Sequence, residues 1–184
     1  MKKPTLLIVL MFMAVFSLSA CATVKPLAGP WRARVVDAET KEPIVGAAVV
    51  AMWDEFHPAF PESRTDYLDA METMTDKDGM FEIPPRSPIP QHPMGEVGGP
   101  YFTIYKPGYG FYSGSQVTIG DNRIEKIGAE PIKISLGKLI DKRSRSITAS
   151  DAKLEVWSVP QGKKKYLMEL YEQEMTFLGL PTDK

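Results

Sequence analysis

The chain has 184 residues and 22 Lys plus Arg against 23 Asp plus Glu, a net charge of -1, which leaves no basic field for a nucleic-acid backbone. One cysteine is too few for a disulfide framework or a thiolate metal cage within the chain. The length suits one domain of about 100 to 150 residues with appendages, held together by apolar burial.

Lys2 and Lys3 precede an eleven-residue apolar run from Leu6 to Phe16. A basic start, a short apolar core and small residues read as a secretory signal, and the run falls short of the roughly 20 residues a spanning helix needs. Leu18-Ser19-Ala20-Cys21 follows and resembles a lipobox. The resemblance implies that a signal peptidase recognises Leu18, Ser19 and Ala20 and cleaves before Cys21. It further implies diacylglycerol on the Cys21 sulfur and a second acylation, as by palmitate, on the freed amine. Several acyl chains hold a protein on a bilayer durably where one does not. Ala22, rather than Asp, after the cysteine is similar to lipoproteins sorted to the outer membrane of the cell envelope. Residues 1–20 are therefore expected to be a signal peptide and 21–30, with Pro26, Gly29 and Pro30, a lipidated tether. The remaining 164 residues carry 20 Lys plus Arg against 23 Asp plus Glu, a net charge of -3.

Trp31 to Val36 alternates large and polar side chains with the period of a half-buried strand. Asp37 to Pro43 is polar and reads as a turn. Ala47 to Trp53 is a second strand, Met71 to Thr75 a third and Met80 to Ile83 a fourth. Between the last two, Asp76-Lys77-Asp78-Gly79 predicts a hairpin turn, because glycine enters positive φ without a Cβ clash. Asp54 to Ala70 and Pro84 to Pro100, the latter with six prolines, are expected as exposed loops. Tyr101 to Tyr105, Gly114 to Ile119 and Ile132 to Leu136 are further strands. Lys138 to Arg145 is basic and reads as a surface connection, followed by a short helix toward Val156 that Thr148 and Asp151 announce as a capping box. Lys163 to Leu178 places Leu167, Leu170, Tyr171 and Leu178 on one helical side, and Gly179 and Pro181 stop it. A helix this short must dock its apolar face, with the β-domain as the expected target and a partner protein or a second copy as the alternative.

Val35-Val36-Asp37, Pro43-Ile44-Val45-Gly46-Ala47, Thr75-Asp76-Lys77-Asp78-Gly79-Met80-Phe81 and Lys106-Pro107-Gly108-Tyr109 resemble the successive signatures of the carboxypeptidase regulatory-like family. The resemblance covers residues 31–137. It implies a mainly β fold, an antiparallel prealbumin-like (transthyretin-like) β-sandwich of about seven strands. Residues 138–184 form a linker and a short helical extension. The family's regulatory module accompanies a zinc peptidase domain, and no His-x-x-Glu ligand pair stands here. Relatives of the fold that hydrolyse 5-hydroxyisourate carry a terminal Tyr-Arg-Gly-Ser, where this sequence reads Leu-Pro-Thr-Asp-Lys.

The aromatics between 101 and 112 are the candidate ligand surface, with Tyr101, Tyr105, Tyr109 and Tyr112 available to stack on sugar rings. Alternation sends Phe102 and Ile104 to the core and Tyr101, Thr103 and Tyr105 to the other face. His57 and His92 lack close metal-ligand spacing, and Asp76, Asp78 and Glu82 read as turn residues rather than a calcium loop. Ser113 and Ser115 lack a Gly-x-Ser-x-Gly elbow. No catalytic residue, metal or cofactor is expected. The sequence thus points to a non-catalytic, membrane-anchored envelope lipoprotein whose β-sandwich binds an envelope protein. The alternative is a carbohydrate- or peptidoglycan-binding lipoprotein using aromatics 101–112.

Overall fold

A computed structural model describes residues 29–86, 95–114 and 132–182. Leu18, Ser19, Ala20, Cys21, His92 and Ser115 lie outside the described residues, as do most of the expected strand Gly114 to Ile119 and the middle of the Pro84 to Pro100 loop.

The described residues are mainly β and form two sheets and two α-helices. Strands β1 (Trp31–Asp37), β4 (Met80–Ile83) and β7 (Ile132–Leu136) form one sheet in the order β4-β1-β7. Strands β2 (Ala48–His57), β3 (Arg64–Met74), β5 (Glu96–Tyr105) and β6 (Tyr112–Gly114) form the other in the order β3-β2-β5-β6. In β1 the alternation read from the sequence puts Trp31, Ala33 and Val35 inward. Arg32 faces out and meets Glu82 of β4 at 2.7 Å. The inward faces of both sheets share one core, in which Trp31 meets Trp53 edge to face with ring centroids 5.5 Å apart.

Strand β2 is covered on both faces. Ala47, Val49, Ala51 and Trp53 enter the core between the sheets, while Ala48 and Val50 lie beneath a helical layer. This explains why the stretch from Ala47 to Trp53 is a continuous apolar run rather than an alternating one. The layer consists of α1 (Lys142–Glu155) and α2 (Lys165–Leu178), linked by a short 3-10 turn, Gln161–Lys163. Leu167, Leu170, Tyr171 and Leu178 are buried as the helical spacing requires, and the first three join Ala48, Val50, Ala70 and Tyr105 of the sheet in a second core. Burial of each of Val50, Leu167 and Leu170 contributes on the order of 1.5–3 kcal/mol.

Six expectations are corrected. The Pro84 to Pro100 segment is not all loop, because Glu96 to Pro100 already belong to β5. Asp54 to Ala70 is not an exposed loop: β2 runs on to His57 and β3 begins at Arg64, so only residues 58–63 connect them. A bulge between Trp53 and Asp54 interrupts the pairing, so a period of two does not read through the segment. Met71 to Thr75 and Met80 to Ile83 do not pair as a hairpin; they belong to different sheets, and the turn between them is a corner. Thr75 makes that crossing, its hydroxyl donating to Ile44 O and accepting from Ala47 N. The sandwich is not wholly antiparallel, since β7 runs parallel to β1 from Ala33 opposite Ile132 to Asp37 opposite Leu136. Strand hydropathy carries no sign of pairing direction, and a parallel partner needs only a long enough crossover. Lys138 to Arg145 is not all connection, because α1 starts at Lys142. Its cap is Asp141, which accepts from Ser144 N at 2.8 Å, and not Thr148.

Candidate functional site

The four tyrosines do not make one exposed surface. Tyr105 is 1% exposed and lies under the helices, because the outer face of β5 is the face on which α1 packs. Burial raises its hydroxyl well above the usual phenol range. Tyr109 and Tyr112 are half-buried against the core between the sheets. Tyr101 alone of the four turns a ring outward, at 37% exposure, beside Asp54. Alternation placed Tyr105 on the correct side of the strand; the helical cover on that side has no signal in the 101–112 sequence.

His57 closes β2, where its Nε2 lies 3.5 Å from Glu55 Oε2 and 3.4 Å from Asp66 Oδ2, while Arg64 Nε reaches Asp66 at 2.9 Å. Among the described residues no group of three or more His, Cys, Asp or Glu side chains is placed to hold a metal ion. Asp76, Asp78 and Glu82 are occupied locally. Asp76 Oδ1 accepts from Asp78 N and Met80 N, Asp78 pairs with Lys77, and Glu82 with Arg32. Gly79 takes φ 72° and completes that turn. Ser113 donates to Glu155 of α1 at 2.7 Å.

Charged groups that the sequence did not single out fasten the helical layer. Glu174, 2% exposed, accepts from Arg145 Nε at 2.6 Å and Arg145 Nη2 at 2.7 Å, and from Gly108 N at 3.3 Å. One carboxylate thereby joins α1, α2 and the turn after β5. The Arg145 guanidinium, held above its usual value by that carboxylate, also lies 4.7 Å from the centre of the Phe177 ring. At the other end of α2 the cap residue Lys164 supplies no side-chain hydrogen bond to the helix N-terminus. Glu72 of β3 takes that role, its two oxygens accepting from Leu167 N at 2.8 Å and Tyr166 N at 2.9 Å. A carboxylate there meets the positive end of the helix dipole. Burial nevertheless raises the Glu72 carboxyl, against the lowering effect of those two bonds. Lys164 is buried and donates to Val156 O and Trp157 O, closing the C-terminus of α1. Asp69 of β3 receives both Lys163 and Arg86, and Arg86 covers the Trp53 ring at 4.8 Å. Glu174 had a signal: it stands seven residues after Leu167, so its charge falls on the apolar stripe of α2.

The opposite face of α1 faces solvent and carries large apolar side chains beside the charged Arg143 and Asp151. Ala149, Ala152 and Val156 are buried, while Ile147 and Leu154, seven residues apart and half a turn around the helix from them, stand out. Ile140, two residues before the helix, and Trp157, two residues after it, are exposed as well, Trp157 at 78%. Arg143 lies on the same side as Ile147, one turn earlier.

No protein-family model matches this chain, and no curated protein does. Among solved structures, a 9R-lipoxygenase from Cyanothece aligns at 13% identity with a TM-score of 0.24. The alignment covers 62% of this chain and 17% of that one, so the chain spans less than a fifth of the lipoxygenase. A likeness at that score carries no argument about fold or chemistry.

Proposed function

We propose that the protein is a non-catalytic lipoprotein of the bacterial cell envelope, held on the outer membrane through Cys21, that recognises another envelope protein with the outer face of α1. One observation carries the recognition reading: four large apolar side chains stand exposed on and beside one helix, Ile147 and Leu154 opposite the side that packs on the sheet, and Ile140 and Trp157 just beyond its two ends. Large exposed apolar side chains gathered on one element are a feature of contact surfaces. The anchor reading rests on Leu18-Ser19-Ala20-Cys21. The sandwich is read as prealbumin-like, of the carboxypeptidase regulatory-like kind. Support comes from the turns at the four signatures: Ile44 N donates to Val35 O, Gly46 N to Thr75 O, Gly79 N to Asp76 O and Tyr109 N to Lys106 O. With Tyr105 under the helices, the aromatics 101–112 supply no continuous stacking platform, and the glycan reading is not kept.

The test has two arms. Cys21→Ala should move the protein from the membrane fraction to the soluble one, and unchanged retention would reject the anchor. A photo-crosslinker at Ile147 should yield one discrete adduct in intact envelopes that Leu154→Ser with Trp157→Ser abolishes, the variant staying membrane-bound. An adduct equally strong from Lys77, on the corner between β3 and β4, would reject α1 as the recognition face.

A further inference from the structure

The β2–β3 ladder ends one residue pair beyond the β2–β5 ladder, and the connection between β2 and β3 lies outside the sheet. Pairing of β2 with β5 ends at Phe56 opposite Glu96, while pairing with β3 continues to His57 opposite Arg64. The connection opens with Pro58, Ala59, Phe60 and Pro61, four exposed residues without a charge, and the Phe60 ring is fully exposed. Phe56, one residue before His57, is exposed as well. Directly behind this tip stands a polar collar of Glu55, His57, Glu62, Arg64 and Asp66.

The chain enters the fold at the same end. Trp31, the first residue of β1, packs on Trp53, from which β2 runs outward to the tip. Strand β1 then leads away, since Val35 N donates to Gly79 O beyond the far end of β3. From Trp53 to His57 is about 13 Å of strand at roughly 3.3 Å per residue. The seven residues from Ala22 to Ala28 span at most about 25 Å when extended. A body tethered at residue 21 by so short a segment therefore turns this end, hairpin tip included, toward the surface that holds the tether.

We propose that residues 58–61 form a lipid-contacting tip, with Phe60 seated in the headgroup region of a zwitterionic phospholipid surface. The proposal rests on the lipid anchor at Cys21. The collar sets both depth and lipid class. The exposed charges of Glu62, Arg64 and Asp66 stay in water, so only the tip enters, and two exposed carboxylates against one guanidinium, with Glu55 buried behind them, give no attraction to anionic headgroups. A single phenylalanine does not bind a membrane from solution, but on a tethered body the second contact is intramolecular and fixes orientation.

The experiment uses the full-length lipoprotein carrying Phe60→Cys, in which the Cys21 sulfur is consumed by its thioether and position 60 offers the thiol for an environment-sensitive fluorophore. Lys77→Cys, on the corner at the opposite end of the sandwich, is the control. Both go into phosphatidylcholine and phosphatidylethanolamine vesicles with and without a nitroxide-bearing lipid. The probe at 60 should shift to the blue and be quenched several-fold more by the nitroxide lipid than the probe at 77, with no gain on adding phosphatidylglycerol. Equal quenching at both positions in protein that floats with the vesicles overturns the lipid contact and leaves the anchor standing. A blue shift without nitroxide quenching overturns it in favour of a protein occupant, including a second copy. Failure of the unsubstituted protein to float overturns the anchor and the proposal together.

Discussion

Replacing Glu174 by alanine removes both acceptors of the Arg145 guanidinium and the acceptor of Gly108 N in one step. Deleting one member of a buried ion pair costs about 3–5 kcal/mol, because the survivor is left desolvated and uncompensated. The Arg145 side chain is 18% exposed and keeps its contact with Phe177, so Glu174→Ala should fall near the low end, about 3 kcal/mol. Arg145→Ala strands a carboxylate that is 2% exposed with Gly108 N as its remaining donor, and about 4 kcal/mol is expected. The joint replacement Arg145→Met with Glu174→Leu removes both charges and should cost less than either single change. Thermal unfolding of the full chain in detergent reads these differences, at about 2–4 °C per kcal/mol for a chain of this size. The Glu174→Ala midpoint should therefore fall by about 6–12 °C. Single variants within about 0.5 kcal/mol of the parent, or a double variant whose loss equals the sum of the singles, would refute the idea that this pair fastens the helices to the β-body.

Four further outcomes follow from the same contacts. Glu72→Ala should lose about 1 kcal/mol by uncapping α2, and Glu72→Gln should lose less because an acceptor remains; equal losses in equilibrium denaturation would remove Glu72 from the capping role. Burial raises the Glu72 carboxyl above its ordinary 4.5, so the folded protein binds that proton more tightly than the unfolded chain does. Its contribution to stability should fall as pH rises through the raised value, and Glu72→Gln should flatten that part of the curve. Asp37 and Asp141 behave oppositely: backbone N–H groups of Thr40 and Glu39, and of Ser144, hold them below the ordinary 3.8. Their stabilisation is present above 3.8 and lost as pH falls through the lowered values, so Asp141→Asn should blunt acid unfolding measured by circular dichroism. Tyr105→Phe deletes a buried hydroxyl that has no hydrogen-bond partner among the described residues, and should be neutral or stabilising by up to about 1 kcal/mol; a destabilisation beyond about 1 kcal/mol would mean the hydroxyl is satisfied.

Where the local code and the tertiary setting agreed, the sequence was readable. Trp31 to Asp37, Met80 to Ile83 and Ile132 to Leu136 are strands flanked by turn residues, and α2 ends at Gly179 with φ 71° and the paired bonds Gly179 N to Thr176 O and Leu180 N to Met175 O. Elsewhere long-range contacts decided. The hairpin beyond Trp53 mixes polar and apolar residues, and the bulge after Trp53 resets its alternation. Helix α1 packs through Ala149 and Ala152, whose small side chains give the buried side little hydrophobic contrast. Tyr105 looked available because its cover arrives from α1 and α2, more than 30 residues later in the chain. The partners of Glu72 and Arg145 lie 94 and 29 residues away, a pairing that no local pattern encodes.

The account turns on the state of residue 21. Intact-mass and tandem mass spectrometry of the protein extracted from membranes should find a mature N-terminus at Cys21 with diacylglycerol on sulfur and an acyl chain on nitrogen. An N-terminus elsewhere, or an unmodified Cys21, would contradict it.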